Sequence, residues 1–162
     1  MRLVIFYVLL FLIQGFLGTL LLPWPAPDLF LLALMSLLWR VPSWQLVLIA
    51  YGMGLLQDAV GHGNWGTHAF GLASAAMMAS FLRAQLSQKG FFSRLLLVFA
   101  AFLGKWLALI PLIMWQTGTL TIGQDVGFVM LIEGIFTLLC SVIVIPWGEA
   151  LMERTLLKRD PL

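Results

Sequence analysis

The chain alternates between apolar runs and short breaks of proline, glycine or charge. Leu3 to Leu22 is the first run, interrupted only by Gln14 and small residues. A helix crossing a hydrocarbon core of about 30 Å needs about 20 mostly apolar residues, so this run predicts a membrane span. It is too long for the hydrophobic part of a secretory leader and no small-x-small cleavage site follows it, so the reading is a retained span over 3–22. Pro23-Trp24-Pro25-Ala26-Pro27 stops any helix, because alternating prolines remove amide donors and fix φ. Asp28 offers an N-cap oxygen to a helix over 28–39. That helix is short, since roughly 12 residues at about 1.5 Å each cover only about 18 Å. Arg40-Val41-Pro42-Ser43 breaks it, and the next apolar helix covers 44–57. These two are either tilted spans or a re-entrant pair, and both options leave Asp28 and Asp58 on the same face. Ala59 to Gly66, rich in glycine and histidine, reads as a loop. Further spans follow over 67–82, 92–115 and 126–146, with Pro111 expected to kink the fifth near its end. Residues 147–162 predict a short amphipathic tail, seated in the cytoplasmic headgroup layer or serving only as a positive anchor.

Composition agrees with this pattern. Of the 162 residues, 62% are hydrophobic and 10% charged, against about 45–50% and roughly 25% in soluble domains. Too few polar side chains remain to cover a water-facing globule, and the same figures exclude disorder. The single cysteine, Cys140, excludes an internal disulfide framework and a cysteine metal cluster. A formal charge of +2 gives no reason to expect nucleic-acid binding. The sequence therefore predicts an all-α integral membrane protein, a six-helix transmembrane bundle in one domain covering 1–162.

The position of the charges orients it. With both termini cytoplasmic, the inner face receives Arg2, Arg40, Arg83, Lys89, Arg94, Arg154, Lys158 and Arg159. The outer face receives Asp28, Asp58 and Asp125, with no lysine or arginine. Such a bias on short loops sets topology. Trp24, Trp39, Trp44, Trp65, Trp115 and Trp147 fall at predicted span ends, where tryptophan favours the water–lipid boundary; Trp106 does not.

Two ionisable residues lie deep. Lys105 is expected roughly 16 Å from the outer end of span five and Glu133 roughly 12 Å into span six. Charges at such depth cost several kcal/mol unless paired or hydrated. Antiparallel neighbours bring both to similar heights, so an ion pair is geometrically possible. It serves either as a register-fixing contact or as part of a polar cavity or proton relay. Asp58, His62 and His68 have the chemistry of zinc ligands, but their glycine-rich spacing argues for a tight outer turn, and no metal or cofactor is expected. No nucleophile carries a catalytic motif around it, so no enzymatic activity is expected. Small residues recur at helical contact spacing, Ala50 and Gly54 on span three and Gly71, Ala75 and Ala79 on span four. Such stripes let backbones approach closely, within the chain or against a partner's helix.

The order of motifs is then informative. Pro27-Asp28-Leu29 opens the short helix, Gly52-Met53-Gly54-Leu55-Leu56-Gln57-Asp58 ends the next, and Gly66-Thr67-His68-Ala69-Phe70-Gly71-Leu72 follows the turn. This resembles the rod shape-determining MreD family, whose members carry a proline–acidic–leucine opening, a G-L-x-x-D helix end and a downstream G-x-H. The resemblance covers roughly residues 27–85 in motif detail. It implies a multi-pass, non-enzymatic component of the bacterial inner membrane that serves cell elongation and peptidoglycan synthesis. The implied partner is MreC, a single-span protein with a periplasmic coiled coil, and through it MreB and the RodA–PBP2 synthase. The family-typical positions are Asp28, Gly54, Gln57, Asp58 and His68; the Lys105–Glu133 pair is outside the pattern. The implied helix arrangement is similar to the substrate-binding S-components of energy-coupling-factor transporters. A small-solute or vitamin-binding subunit of that type is accordingly the rival expectation, a proton-coupled carrier using Lys105 and Glu133 is a third, and a homodimer is left open.

Overall fold

A computed structural model of the chain describes residues 2–60, 65–86, 90–118 and 124–156. Among the described residues there are six helices and no strand: α1 (Arg2–Leu20), α2 (Leu29–Leu37), α3 (Ser43–Val60), α4 (Thr67–Arg83), α5 (Phe91–Thr117) and α6 (Gln124–Leu156). His62 and the tail beyond Leu156 lie outside the described residues. Two stretches, Phe91–Gln116 and Val126–Ala150, are long and apolar enough to cross a membrane by length and composition.

The chain is built around its shortest helix. α2 touches α1, α3, α4, α5 and α6, and every residue from Leu29 to Ser36 is buried. Seven of those eight are apolar, with no polar stripe for a solvent face. A helix hydrophobic all round has to be enclosed. The α3–α4 and α4–α5 pairs are antiparallel neighbours: Gly71 faces Lys105 and Leu109 while Gly104 faces Ser74 and Met78, and contacts at both ends fix α3 against α4. Asp58 near the end of α3 meets His68 at the start of α4, while Arg83 at the end of α4 reaches Ser43 at the start of α3.

The small-residue stripes explain how tightly these helices pack. A Cβ on Gly54 would overlap the backbone of Ala69, so α3 and α4 cross almost backbone to backbone. Ala50, Ala75, Ala76 and Ala79 are fully buried. A Cβ on Gly71 would come within 3.2 Å of Leu109 and 3.3 Å of Lys105, so this glycine sets the spacing of α4 against α5. The stripe offered as a docking face for a partner is thus occupied by contacts within the chain.

Two further differences from the sequence reading stand out. First, α6 continues past the predicted end at 146 to Leu156. Proline within a helix forfeits its own N–H bond to the carbonyl four residues back. Beyond it α6 is anchored by Glu149, whose Oε2 lies 3.2 Å from Arg94 Nη2 and whose carbonyl accepts from Arg40 Nη2 at 3.1 Å. The expected separate tail helix is, over its described part, a continuation of α6. Second, Asp28 is not at the end that carries Asp58. It is 3% exposed and lies against Lys105, midway along α5. The length of α2 gives the reason: nine residues reach only about half as far as a full span, so one end of this helix has to lie inside the bundle.

Candidate functional site: a buried Asp–Lys–Glu triad

Pro23, Pro25 and Pro27 keep the chain after α1 out of helical geometry as it runs in toward the core. Asp28 (φ −81°, ψ 87°) then caps α2, its Oδ1 accepting from the Leu31 amide at 2.9 Å. A buried helix start leaves further amides in need of acceptors. Thr137 Oγ1 on α6 accepts from the Asp28 amide at 3.0 Å, and Gln14 Oε1 on α1 accepts from the Leu29 amide at 2.9 Å. Two neighbouring helices and the cap residue itself thus supply the oxygens that let α2 begin inside the bundle.

The second carboxylate oxygen of Asp28 faces α5. Lys105 Nζ donates to Asp28 Oδ2 at 2.6 Å and to Glu133 Oε1 on α6 at 2.6 Å. The three side chains are all buried, Lys105 at 5%, Glu133 at 9% and Asp28 at 3% exposure. Ionised partners make these the short, strong class of hydrogen bond. Removing a charge from water costs several kcal/mol per ion, recovered only when geometry is good and the remaining polar atoms are bonded. Both conditions are approached here: the buried Nε1–H of Trp106, next to Lys105 and itself 6% exposed, is turned toward Glu133 but falls short of hydrogen-bond geometry.

A second polar junction holds α4. Asp58 accepts from the amides of Gly66 at 2.9 Å, His68 at 3.0 Å and Ala69 at 3.2 Å, and Oδ1 lies 2.8 Å from His68 Nδ1. A carboxylate from α3 therefore satisfies the start of α4, a job normally done by a local cap. Gly66 precedes that helix at φ +89°, a left-handed conformation that glycine adopts without strain. The glycine–x–histidine motif has a plain physical content: the glycine turns the chain, and the histidine supplies amide and ring to the same carboxylate.

Of the residues singled out by sequence, the structure unites Asp28, Lys105 and Glu133 in one cluster and Asp58 with His68 in another. Gln57 sits beside Asp58 in sequence, its Oε1 buried and without a hydrogen-bond partner among the described residues. Gly54, Gly71 and Ala75 line helix crossings. Two members of the triad's surroundings, Gln14 and Thr137, carried no sequence signal beyond being polar inside apolar runs. Among the described residues no group of three His, Cys, Asp or Glu side chains is placed to hold a metal ion. The triad ties α2, α5 and α6 together electrostatically, since its amine and carboxylates are turned on one another.

Compared with protein-family models, curated proteins and solved structures, the chain matches none of them. The resemblance to MreD rests on the motif residues themselves.

Proposed function

We propose that the chain is a six-span protein of the bacterial inner membrane that acts as a non-enzymatic scaffold of the cell-elongation complex, in the manner of MreD. Its partner is an MreC-type single-span protein, which links it to MreB and the RodA–PBP2 synthase. The observation that carries this reading is the use made of the motif residues. Asp28, Asp58 and His68 are all bonded to the chain's own backbone and side chains, which suits a motif that preserves architecture rather than chemistry.

Several features support the bilayer setting. Large apolar side chains such as Leu12, Leu48, Met77, Leu107 and Ile143 are more than 60% exposed, which water penalises and lipid does not. Arg40, Arg83 and Arg94 gather at one end of the bundle, where Arg83 donates to the carbonyls of Leu38 and Val41 and to Ser43 Oγ. That end is the cytoplasmic one by the rule that retains lysine and arginine inside. Trp44 and Trp147 are exposed there, and Trp65 and Trp115 at the opposite end. Extended backbone at membrane depth is tolerated only where protein encloses it, and Pro27 and Asp28 are buried with their neighbouring amides bonded.

With the small-residue stripes engaged internally, partner recognition falls to the outer surface. A groove between α5 and α6, lined by Phe92, Leu96, Phe99, Leu138 and Leu139, is apolar and open sideways. In lipid, a helix seated there gains by close packing, because burial alone gives no driving force. Gentle detergent extraction from native membranes tests the reading. A co-purifying one-span coiled-coil protein is expected. Recovery of the chain with a stoichiometric small molecule and no protein partner would overturn it in favour of an S-component-like transporter subunit.

A further inference from the structure

We propose that the Asp28–Lys105–Glu133 triad is a binding site for one exchangeable proton, carried on Glu133. Two carboxylates and one ammonium, fully ionised, leave one net negative charge among Leu31, Leu32, Phe102 and other buried apolar side chains. Neighbouring carboxylates in a water-poor site resist ionising together, and a single proton removes the excess. The proton adds to one carboxylate as a COOH group, leaves the ammonium bonded to the other, and returns to water when released. No other reactant is required.

The two carboxylates are not equivalent, and the difference assigns the proton. Asp28 caps a helix, with Oδ1 on the Leu31 amide and Oδ2 on Lys105. The start of a helix favours negative charge. Glu133 projects from the interior of α6, far from any helix start; among the described residues its carboxylate bonds to Lys105, and otherwise meets only the Trp106 indole N–H, which is turned toward it short of hydrogen-bond geometry. Paired carboxylates whose surroundings differ in this way divide the roles, one remaining an anion and the other holding the proton.

The charged and titratable groups around the site are few. α2 contributes Asp28, α5 Lys105 and α6 Glu133 itself; α4 contributes His68, one turn above the Gly71 that abuts Lys105. α3 contributes Asp58, which is bound to His68. The described side chains of α1 add the neutral Gln14. Arg83, Arg94 and Glu149 belong to the far end of the bundle. His68 is part-exposed, with a side chain 36% accessible, and stands between the triad and the Asp58 end.

The site is independent of any partner, so its test does not share an outcome with the scaffold reading. The chain has three glutamates, Glu133, Glu149 and Glu153. The full-length protein in lipid nanodiscs, carrying carboxyl-13C glutamate, is followed by infrared spectroscopy from alkaline to mildly acidic pH. One labelled carbonyl band of a protonated acid should appear on acidification, disappear on return to alkali, shift in heavy water and be missing from Glu133→Gln. Should that variant not fold, wild-type protein labelled in glutamate or aspartate separately makes the same distinction. A band only under aspartate label, a band that never responds to pH, or no band under either label would overturn the assignment.

Discussion

Replacing Lys105 by methionine keeps the length and apolar volume of the side chain and removes the charge that two helices share. The structure sets the size of the effect. Both carboxylates are within 2.6 Å of Nζ and almost wholly buried. Deleting one partner of a buried ionic cluster costs about 3–5 kcal/mol, because the remaining charge has neither water nor counterion. At about 1.4 kcal/mol per tenfold, that lowers the folding equilibrium constant by roughly two to three and a half powers of ten. The cost should not be intrinsic to apolar substitution. The triple variant Asp28→Asn, Lys105→Met, Glu133→Gln holds no charge and should regain most of the loss, since a buried cluster can often be exchanged for neutral groups at little net cost. Denaturant titration in mixed micelles, followed by helical circular dichroism, measures all three states. If Lys105→Met stays within about 1 kcal/mol of the wild type, or the triple variant is worse than the single one, the triad does not fasten α2 to α5 and α6 as argued.

The other sites yield sharper contrasts than single numbers. Gly54→Ala should destabilise by about 1–3 kcal/mol, because a methyl there meets the Ala69 backbone. Gly52→Ala, two residues away with open space around it, should be neutral or stabilising by up to about 1 kcal/mol in the same titration. Asp58→Ala should cost about 2 kcal/mol, the upper end for a lost cap, and speed amide exchange selectively at Gly66, His68 and Ala69. Arg83→Lys should fray the α2–α3 turn, since an ammonium cannot span the Leu38 and Val41 carbonyls and Ser43 Oγ together; faster exchange at Arg40 and Val41 is the readout. Leu96→Trp with Leu139→Trp fills the α5–α6 groove, and should reduce the co-purified single-span partner about tenfold without lowering the amount of inserted protein.

Much of the helix plan was legible from periodic apolar runs and their breakers. The predicted stretches 67–82 and 92–115 differ from α4 and α5 by at most two residues at either end. Antiparallel neighbours placing two deep charges at one height made the pairing of Lys105 with Glu133 geometrically possible, and the packing of α5 against α6 brings it about. Asp28 was misplaced because its local signal, a cap behind three prolines, says where a helix starts and nothing about where that start lies in space. Its partner is 77 residues away, a relation that only the packing of α2 creates. Thr137 and Gln14 were invisible for the same reason, each being a lone polar residue in an apolar helix. The continuation of α6 beyond Pro146 was hidden because a proline reads as a stop, and the anchors that carry the helix onward, Arg40 and Arg94, come from elsewhere in the chain. The small-residue stripes were legible as contact surfaces, but periodicity alone does not tell a neighbour within the chain from one outside it.

In the proposed membrane setting α2 begins inside the bundle, with its Asp28 end out of reach of solutes the size of a thiol reagent from either side. Single-cysteine variants on a Cys140→Ser background, treated with a membrane-impermeant thiol reagent, test it directly. Trp65→Cys should label in intact cells, Ala84→Cys only after the membrane is opened, and Pro27→Cys in neither condition. Labelling of Pro27→Cys from outside at the rate of Trp65→Cys would put Asp28 at the surface and contradict the account.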